Sequence, residues 1–320
     1  MSRTSRPRLL FLAQILPHPP DGGVKIRTYH TLALLAREFR VDALCFHRRS
    51  AREDSAAIEE SVAALHEHAD RVEAFEIPQE ESQARLLWDH LRSVVRRRPY
   101  TVFTYESRAY RTRLRELLDR TNYDLVHVDS MDLSAYLPEL PDVPVVCAHH
   151  NVESELLRRR GDSAGFFPLR AYLHLQANLL AREEERWCPE VDLNVTVSDR
   201  DRRALETRIP EADYLVVPNG VDTDAFRPGE REGREEGPDI VFVGGCTWFP
   251  NRDALEYFSD DILPALRQRH PSVEVRWVGR AEEETRRRYR REHGIEMTGY
   301  VDDIRPHVQK AACYVVPLRV

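Results

Sequence analysis

Two glycine pairs stand where this chain could hold an anion. Gly22-Gly23 and Gly244-Gly245 each follow a short apolar run, Leu9 to Ala13 and Ile240 to Val243, and each precedes a helical pattern. A strand that feeds a glycine turn and then a helix aims backbone N–H groups and the positive end of the helix dipole at whatever lies above the turn. A diphosphate fits such a place, although most glycine turns of this kind bind nothing. Asn251 stands ahead of the second helical pattern as a candidate N-cap. Two further polar groups fall at strand ends: His150, within His149-His150-Asn151-Val152-Glu153, and Ser198. Each has a plainer reading. His150 can be a strand-end histidine bonded to a carbonyl, and Ser198 with Asp199 makes a good N-cap for the next helix.

Other candidate constellations carry less. Asp222-Thr223-Asp224 copies the DxD pattern by which some sugar-transferring enzymes hold a metal, but it follows Val217-Pro218-Asn219-Gly220, where a linker turn is expected. His66 and His68 are two apart, hence on different helical faces, which suits a solvated helix better than a metal site. The five cysteines, Cys45, Cys147, Cys188, Cys246 and Cys313, form no CxxC pair and imply neither zinc nor disulfides. No metal and no cofactor is therefore expected, and a reducing cytoplasm is the expected compartment.

The elements that must position these groups alternate. Strands are expected at Leu9 to Ala13, Val41 to Phe46, Val72 to Ile77, Tyr100 to Tyr105, Asp124 to Val128, Val143 to Ala148, Leu193 to Val197, Tyr214 to Val217 and Ile240 to Val243. Between them come helical patterns, including one from about Lys25 to Arg37, one from Leu86 to Val95, one from Leu169 to Trp187, and one through Leu255, Phe258, Ile262 and Leu266. Such alternation predicts parallel sheets with helices on both faces, whose ligands lie outside the carboxyl ends of the strands. At 320 residues two domains are expected: residues 1–217, a charged Gly/Pro linker at 218–237, and residues 238–320. The cleft between two such domains, with glycine turns on both lips, is the expected site.

Composition narrows the function. The chain is 42% hydrophobic and 32% charged, as soluble globular proteins are, and its net charge of -7 argues against nucleic acid as a partner. Lys25 and Lys310 are the only lysines, so the positive charge is arginine. The run Leu9 to Ala13 is too short for a signal peptide or membrane span. One segment invites a membrane reading: Leu86, Leu87, Trp88, Leu91, Val94 and Val95 share a helix whose end carries Arg92, Arg96, Arg97 and Arg98. The expected role of its apolar stripe is to cover the sheet, with the arginines favouring the helix C-terminus; resting on an anionic bilayer is the other.

Taken together, the pieces resemble the retaining GT-B glycosyltransferases of family 4. The resemblance rests on PxPPDGG (Pro17 to Gly23), HHNVES (His149 to Ser154), VTVS (Val195 to Ser198), VVPNGVD (Val216 to Asp222) and FVGG. The stretch GGCTWFPNRDAL, a later VGR (Val278 to Arg280) and TGYVDDIRP (Thr298 to Pro306) are closer to sugar transferases of exopolysaccharide and PEP-CTERM systems.

The resemblance implies an α/β fold of two doubly wound Rossmann-like domains. It also implies transfer of a sugar from a nucleotide diphosphate sugar to a glycan or lipid-linked acceptor, with retention and without an obligatory metal. The second domain would bind the nucleotide through Gly244, Gly245 and Asn251, with Gly22, Gly23 and Ser198 also on the donor side and His150 touching the sugar. A lipid-linked acceptor would bring the enzyme to the inner membrane face. Two departures stand out. The Arg and Lys that many members carry after FVG are replaced by Gly245 and the TWFPN segment. The sequence also ends before the family's later glycine loop and glutamate pair, so the second domain is expected to be truncated. A nucleotide-sugar epimerase of the same fold and a noncatalytic glycan- or partner-binding protein are the alternatives.

Overall fold

The computed structural model describes residues 6–49, 54–228 and 239–319. The chain divides into two compact units, Met1–Asn219 and Gly220–Val320. Of the expected linker, residues 229–237 lie outside the described residues, as does Val320.

The first unit is built on a seven-stranded, wholly parallel sheet. Its strands are β1 (Arg8–Ala13), β2 (Arg40–His47), β3 (Arg71–Glu76), β4 (Leu125–Val128), β5 (Val145–His149), β6 (Leu193–Thr196) and β7 (Tyr214–Val216), in the spatial order β3-β2-β1-β4-β5-β6-β7. The order reverses between β1 and β4, which is the switch point where doubly wound sheets place their ligands. Among the described residues the α-helices that connect the strands are α1 (Gly23–Leu35), α2 (Ser55–Leu65), α3 (Gln83–Arg96), α4 (Tyr100–Thr104), α5 (Arg108–Arg120), α6 (Glu153–Asp162), α7 (Phe167–Trp187) and α8 (Asp199–Arg208). β1 shows why the sequence is apolar without interruption. Leu9, Phe11 and Ala13 enter one core with Leu32 of α1 and Leu65 beyond the sheet, while Leu10 and Leu12 enter the opposite core with Tyr110, Leu114 and Leu205.

Two expectations fail in this unit. Tyr100 to Tyr105 is not a strand but α4. Pro99 caps it in an extended conformation, and the Tyr100 N–H donates to Gln176 Oε1 at 3.1 Å. Val102 and Phe103 are both buried in this helical turn, so packing overrides the β-preference of the TVF run. The second failure is the apolar stripe of α3. It does not cover the sheet: Leu87, Trp88, Leu91, Val94 and Val95 are all exposed. α1 also begins two residues earlier than its periodicity suggests, with Gly22 as its N-cap.

The second unit carries a four-stranded parallel sheet, β8 (Ile240–Val243), β9 (Val275–Val278), β10 (Ile295–Gly299) and β11 (Cys313–Tyr314), in the order β10-β9-β8-β11. Helices α9 (Phe249–Tyr257), α10 (Leu263–Arg269), α11 (Glu283–His293) and α12 (Arg305–Lys310) pack on it. A π turn at Phe258–Ile262 joins α9 to α10, just ahead of Pro264, whose missing N–H cannot continue the α ladder. The core centres on Phe242 stacked against Trp277, ring centroids 3.8 Å apart. No helix among the described residues is long and apolar enough to cross a membrane.

Candidate active site

The carboxyl ends of β4 and β5 bring together the first residue after each strand. Asp129 follows β4, its N–H bonded to Leu12 O of β1 at 2.8 Å, and His150 follows β5. His150 Nε2 lies 3.3 Å from Asp129 Oδ2, and the same oxygen accepts the Thr28 hydroxyl of α1 at 2.5 Å. His127 Nε2 lies 3.7 Å from Asp129 Oδ1. Burial by itself would raise the Asp129 pKa, but the flanking imidazoles outweigh it and hold the carboxyl at about 2. The reciprocal effect falls on His150. Burial and Arg27 oppose its charge, yet the Asp129 carboxylate raises its pKa above the ordinary value. A histidine so held is a hydrogen-bond donor near neutral pH.

The adjacent His149 is a different residue in every respect. It is buried, donates from Nε2 to Asn194 Oδ1 at 2.9 Å, and has its pKa lowered by burial. The Asn194 amide is oriented by its own donation to Cys188 O at 2.8 Å, which fixes Oδ1 as the acceptor. Of the two strand-end histidines, only His150 carries the pair with an acid.

α1 ties the glycine pair to this centre. Gly22 caps the helix in an extended conformation without a side-chain bond, and a Cβ on Gly22 or Gly23 would meet nothing within 4 Å. Neither glycine is demanded by backbone or packing; what they leave is an open, uncapped helix N-terminus. One turn on, Arg27 donates to Asn219 Oδ1 at 2.8 Å and to Val217 O at 3.0 Å, while Thr28 holds Asp129. The VPNG segment thus packs on the helix that the glycine loop opens.

Three more acids lie near His150. Glu153 opens α6 and its pKa is pushed up to about 7, first by burial and then by Asp132; the Asp132 pKa is itself raised by burial. Glu184 is buried, accepts from Ser154 N and Oγ at 3.2 and 2.6 Å, and pairs with Arg208. The sequence reading overlooked Asp129, Asp132 and Glu153. Asp129 was open to discovery, because it directly follows the apolar run of β4 at the same sheet edge as His150.

Ser198 lies at the end of β6, but its hydroxyl is occupied. It accepts from Asp201 N at 3.1 Å and donates to Asp201 Oδ2 at 2.6 Å, the N-cap arrangement of α8. His66 and His68 fall just past the end of α2 rather than on it, with His68 Nε2 3.1 Å from Tyr29 OH. Asp222 Oδ1 accepts from Asp224 N and Ala225 N at 2.9 and 3.1 Å, a turn of the kind its sequence implies.

In the second unit, Gly244 and Gly245 close β8. Gly244 N donates to Val278 O at 2.8 Å, Trp277 Nε1 donates to Gly244 O at 2.9 Å, and Asn251 Nδ2 donates to Gly245 O at 3.0 Å. The structure therefore corrects the assignment of Asn251. Trp248 is the N-cap of α9, and Asn251 lies inside the first turn, clamping the glycine loop with its amide. A Cβ on Gly244 would approach Phe242 and Asn251 to 2.5 and 2.6 Å, so this glycine is required by packing. Gly245 has ordinary room, its nearest neighbour being Arg280 at 3.6 Å. Arg280, after β9, lies over the Tyr300 ring, 4.8 Å from its centroid.

The fold has counterparts among known proteins. The model for Glycosyltransferase Family 4 matches residues 21–225, and that for Glycosyl transferases group 1 matches residues 237–320. Among solved structures, TarM superposes with a TM-score of 0.58 at 8% identity, covering 98% of this chain and 80% of that one. An S. aureus TarM mutant in complex with fondaparinux, α-GlcNAc-glycerol and UDP gives 0.55 at 9% identity, covering 96% and 80%. A glycosyltransferase from Rickettsia africae gives 0.51 at 13% identity, covering 95% and 71%. No curated protein matches. At these identities the likeness defines the fold, a Rossmann-like GT-B arrangement.

Proposed function

The chain belongs to glycosyltransferase family 4, and on that premise we propose that it moves a sugar from a nucleotide diphosphate sugar to a glycan or lipid-linked acceptor, with retention of anomeric configuration, in polysaccharide or glycoconjugate biosynthesis. The observation that carries this reading is the His150–Asp129 pair at the carboxyl ends of β4 and β5, beside the switch point of the family-matched unit. The leaving diphosphate gains negative charge in the transition state, so donors preorganised at a sheet edge favour the transition state over the bound substrate. His150 donates to the sugar, and Asp129 sets its orientation and favours its protonated form. Gly22 and Gly23 leave the start of α1 open to the anion. Gly244, Gly245 and Asn251 form the donor-side turn of the second unit, where Arg280 supplies a cation after β9.

That the S. aureus TarM mutant binds UDP supports a uridine-type donor, and no metal or cofactor is part of the proposal. The reaction is placed at the cytoplasmic side, where nucleotide sugars are made. The test is to incubate the protein with labelled UDP- and GDP-sugars and a panel of glycan and polyprenyl-phosphate acceptors, and to follow release of nucleotide diphosphate and the anomeric proton of the product. Nucleotide-dependent transfer with the donor's anomeric configuration is expected. Conversion of the donor without acceptor would make it an epimerase, and nucleotide binding without turnover across the panel would overturn the enzymatic reading.

A further inference from the structure

α3 is built inside out. Its buried face is polar: Asp89 and Ser93 are fully covered, with Asp89 held by Arg85 Nε at 3.0 Å and Ser93 Oγ bonded to the Gln176 amide of α7 at 2.8 Å. Its outer face is apolar. Leu87, Leu91, Val94 and Val95 follow at i, i+4, i+7 and i+8 and, with Trp88, fill an arc of about 120° at 100° per residue. Leu87 is 68% exposed, Trp88 57% and Val95 72%.

Further apolar residues are exposed on the neighbouring helix. His90 meets Tyr172, Ser93 meets Gln176 and Arg98 meets Glu183, so α3 and α7 run side by side in the same direction. That alignment sets the start of α7 beside the first turns of α3. Phe166, Phe167 and Leu169 are exposed there, Phe167 at 76%. An exposed apolar arc such as that of α3 is unusual on a soluble protein and marks something that covers it.

The charge around it says what. Residues 83–98 carry five arginines and one acid, in a chain whose net charge is -7. The single acid, Asp89, is turned inward and paired with Arg85, while Arg92 pairs with Glu106 and Arg98 with Glu183. Arg96 and Arg97 remain exposed at the C-terminal end of α3, with no ion pair among the described residues. Aliphatic side chains flanked by aromatic rings and cations, with no outward carboxylate on the helix, match the boundary between acyl chains and anionic headgroups. We propose that the outer face of α3 and the first turn of α7 form a docking surface for an anionic phospholipid membrane.

Binding is read without turnover, so the test stands apart from the proposed reaction. The full chain is sedimented with vesicles of phosphatidylglycerol and phosphatidylcholine in equal parts, and with phosphatidylcholine alone, at low and high salt. Three variants are compared: Trp88→Ser with Leu91→Ser, Phe166→Ser with Phe167→Ser, and Arg96→Gln with Arg97→Gln. All positions are exposed, and parent-like thermal melts verify the fold. The parent should partition onto the anionic vesicles at least about tenfold better than onto neutral ones, and high salt should weaken it. Each variant should lose about tenfold or more. Equal partition of parent and variants would overturn the proposal. So would a parent that ignores vesicles but forms a dimer on size exclusion that Trp88→Ser with Leu91→Ser dissociates, which would make the face an interface between copies of this chain.

Discussion

Asp129 and His150, each the first residue after its strand, face one another across the junction of β4 and β5 with 3.3 Å between Oδ2 and Nε2. Because Asp129 also takes the Thr28 hydroxyl, the carboxylate is fixed from two sides and cannot follow the imidazole if it moves. Removing the donor and removing its support should thus have different signatures. His150→Ala is expected to lower kcat by about a hundredfold or more, the scale of losing one preorganised donor, with a parent-like melting curve. Asp129→Asn should lower kcat less and displace the pH profile, since the imidazole then loses its charge at lower pH. Steady-state kinetics from pH 5 to 9 checks both, and a His150→Ala protein that turns over normally would return the residue to a structural role.

Stability should respond to pH in two separate windows. The Asp129 pKa is depressed to about 2, so its contribution is present above the ordinary carboxylate range and is lost as pH falls from about 4 toward 2. From the 3.8 reference the shift corresponds to about 2 kcal/mol. His150 and Glu153 have raised pKa values, and the folded state therefore binds their protons more tightly than the unfolded chain does. Their contribution is full at low pH and is lost as pH rises, for Glu153 between its reference 4.5 and about 7. Urea midpoints should fall across that upper window, and Glu153→Gln should flatten the slope there while leaving the acid limb unchanged. An unaltered upper slope in that variant would refute the assignment.

The two glycines of the second unit's turn make opposite predictions. Gly244→Ala drives a Cβ to 2.5 Å from Phe242 and 2.6 Å from Asn251, and should cost about 1–3 kcal/mol. Gly279→Ala should cost more, because its φ of +148° is closed to side chains and its Cβ would meet the Gly244 backbone at 2.5 Å. Gly245→Ala, with 3.6 Å of clearance, should leave the urea midpoint within about 0.5 kcal/mol of the parent. If Gly245→Ala nonetheless weakens nucleotide binding, measured by titration calorimetry, the position contacts donor rather than protein.

These glycines show how far the sequence could be read. Hydrophobic periodicity located the β1, β4, β5 and β8 strands because buried parallel strands are apolar on both faces, and the strand-end rule then led to His150. It could not separate Gly244 from Gly245, since the difference lies in Phe242 and Asn251 folding back on one of them. The strand-end position of Asp129 was legible, but its role comes from Thr28, 101 positions away, and from His150, 21 away, contacts that no local pattern encodes. α4 misled for a related reason: β-branched residues at Thr101 and Val102 say strand, while the Gln176 side chain, reached only in the fold, takes the Tyr100 N–H. In α3 the stripe was legible and its direction was not, because Asp89 and Ser93 find buried partners that make the polar face the inner one.

The last expectation concerns the metal. Asp222 and Asp224 stand in the spacing that could chelate a divalent cation, but the Asp222 carboxylate already accepts two backbone N–H groups, from Asp224 and Ala225, and Asp224 pairs with Arg227 at 2.6 Å. A carboxylate turned onto its own backbone offers a cation fewer lone pairs and would have to release the turn to bind one. Backbone N–H donors and a helix N-terminus can instead balance the charge of a diphosphate, so transfer should persist in EDTA at close to its full rate. Asp222→Ala with Asp224→Ala should leave kcat within about twofold while costing about 1 kcal/mol of stability through loss of the turn. Abolition of transfer by EDTA, with recovery on adding manganese, would show that the charge balance lies elsewhere and would make this turn the first place to look for the ion.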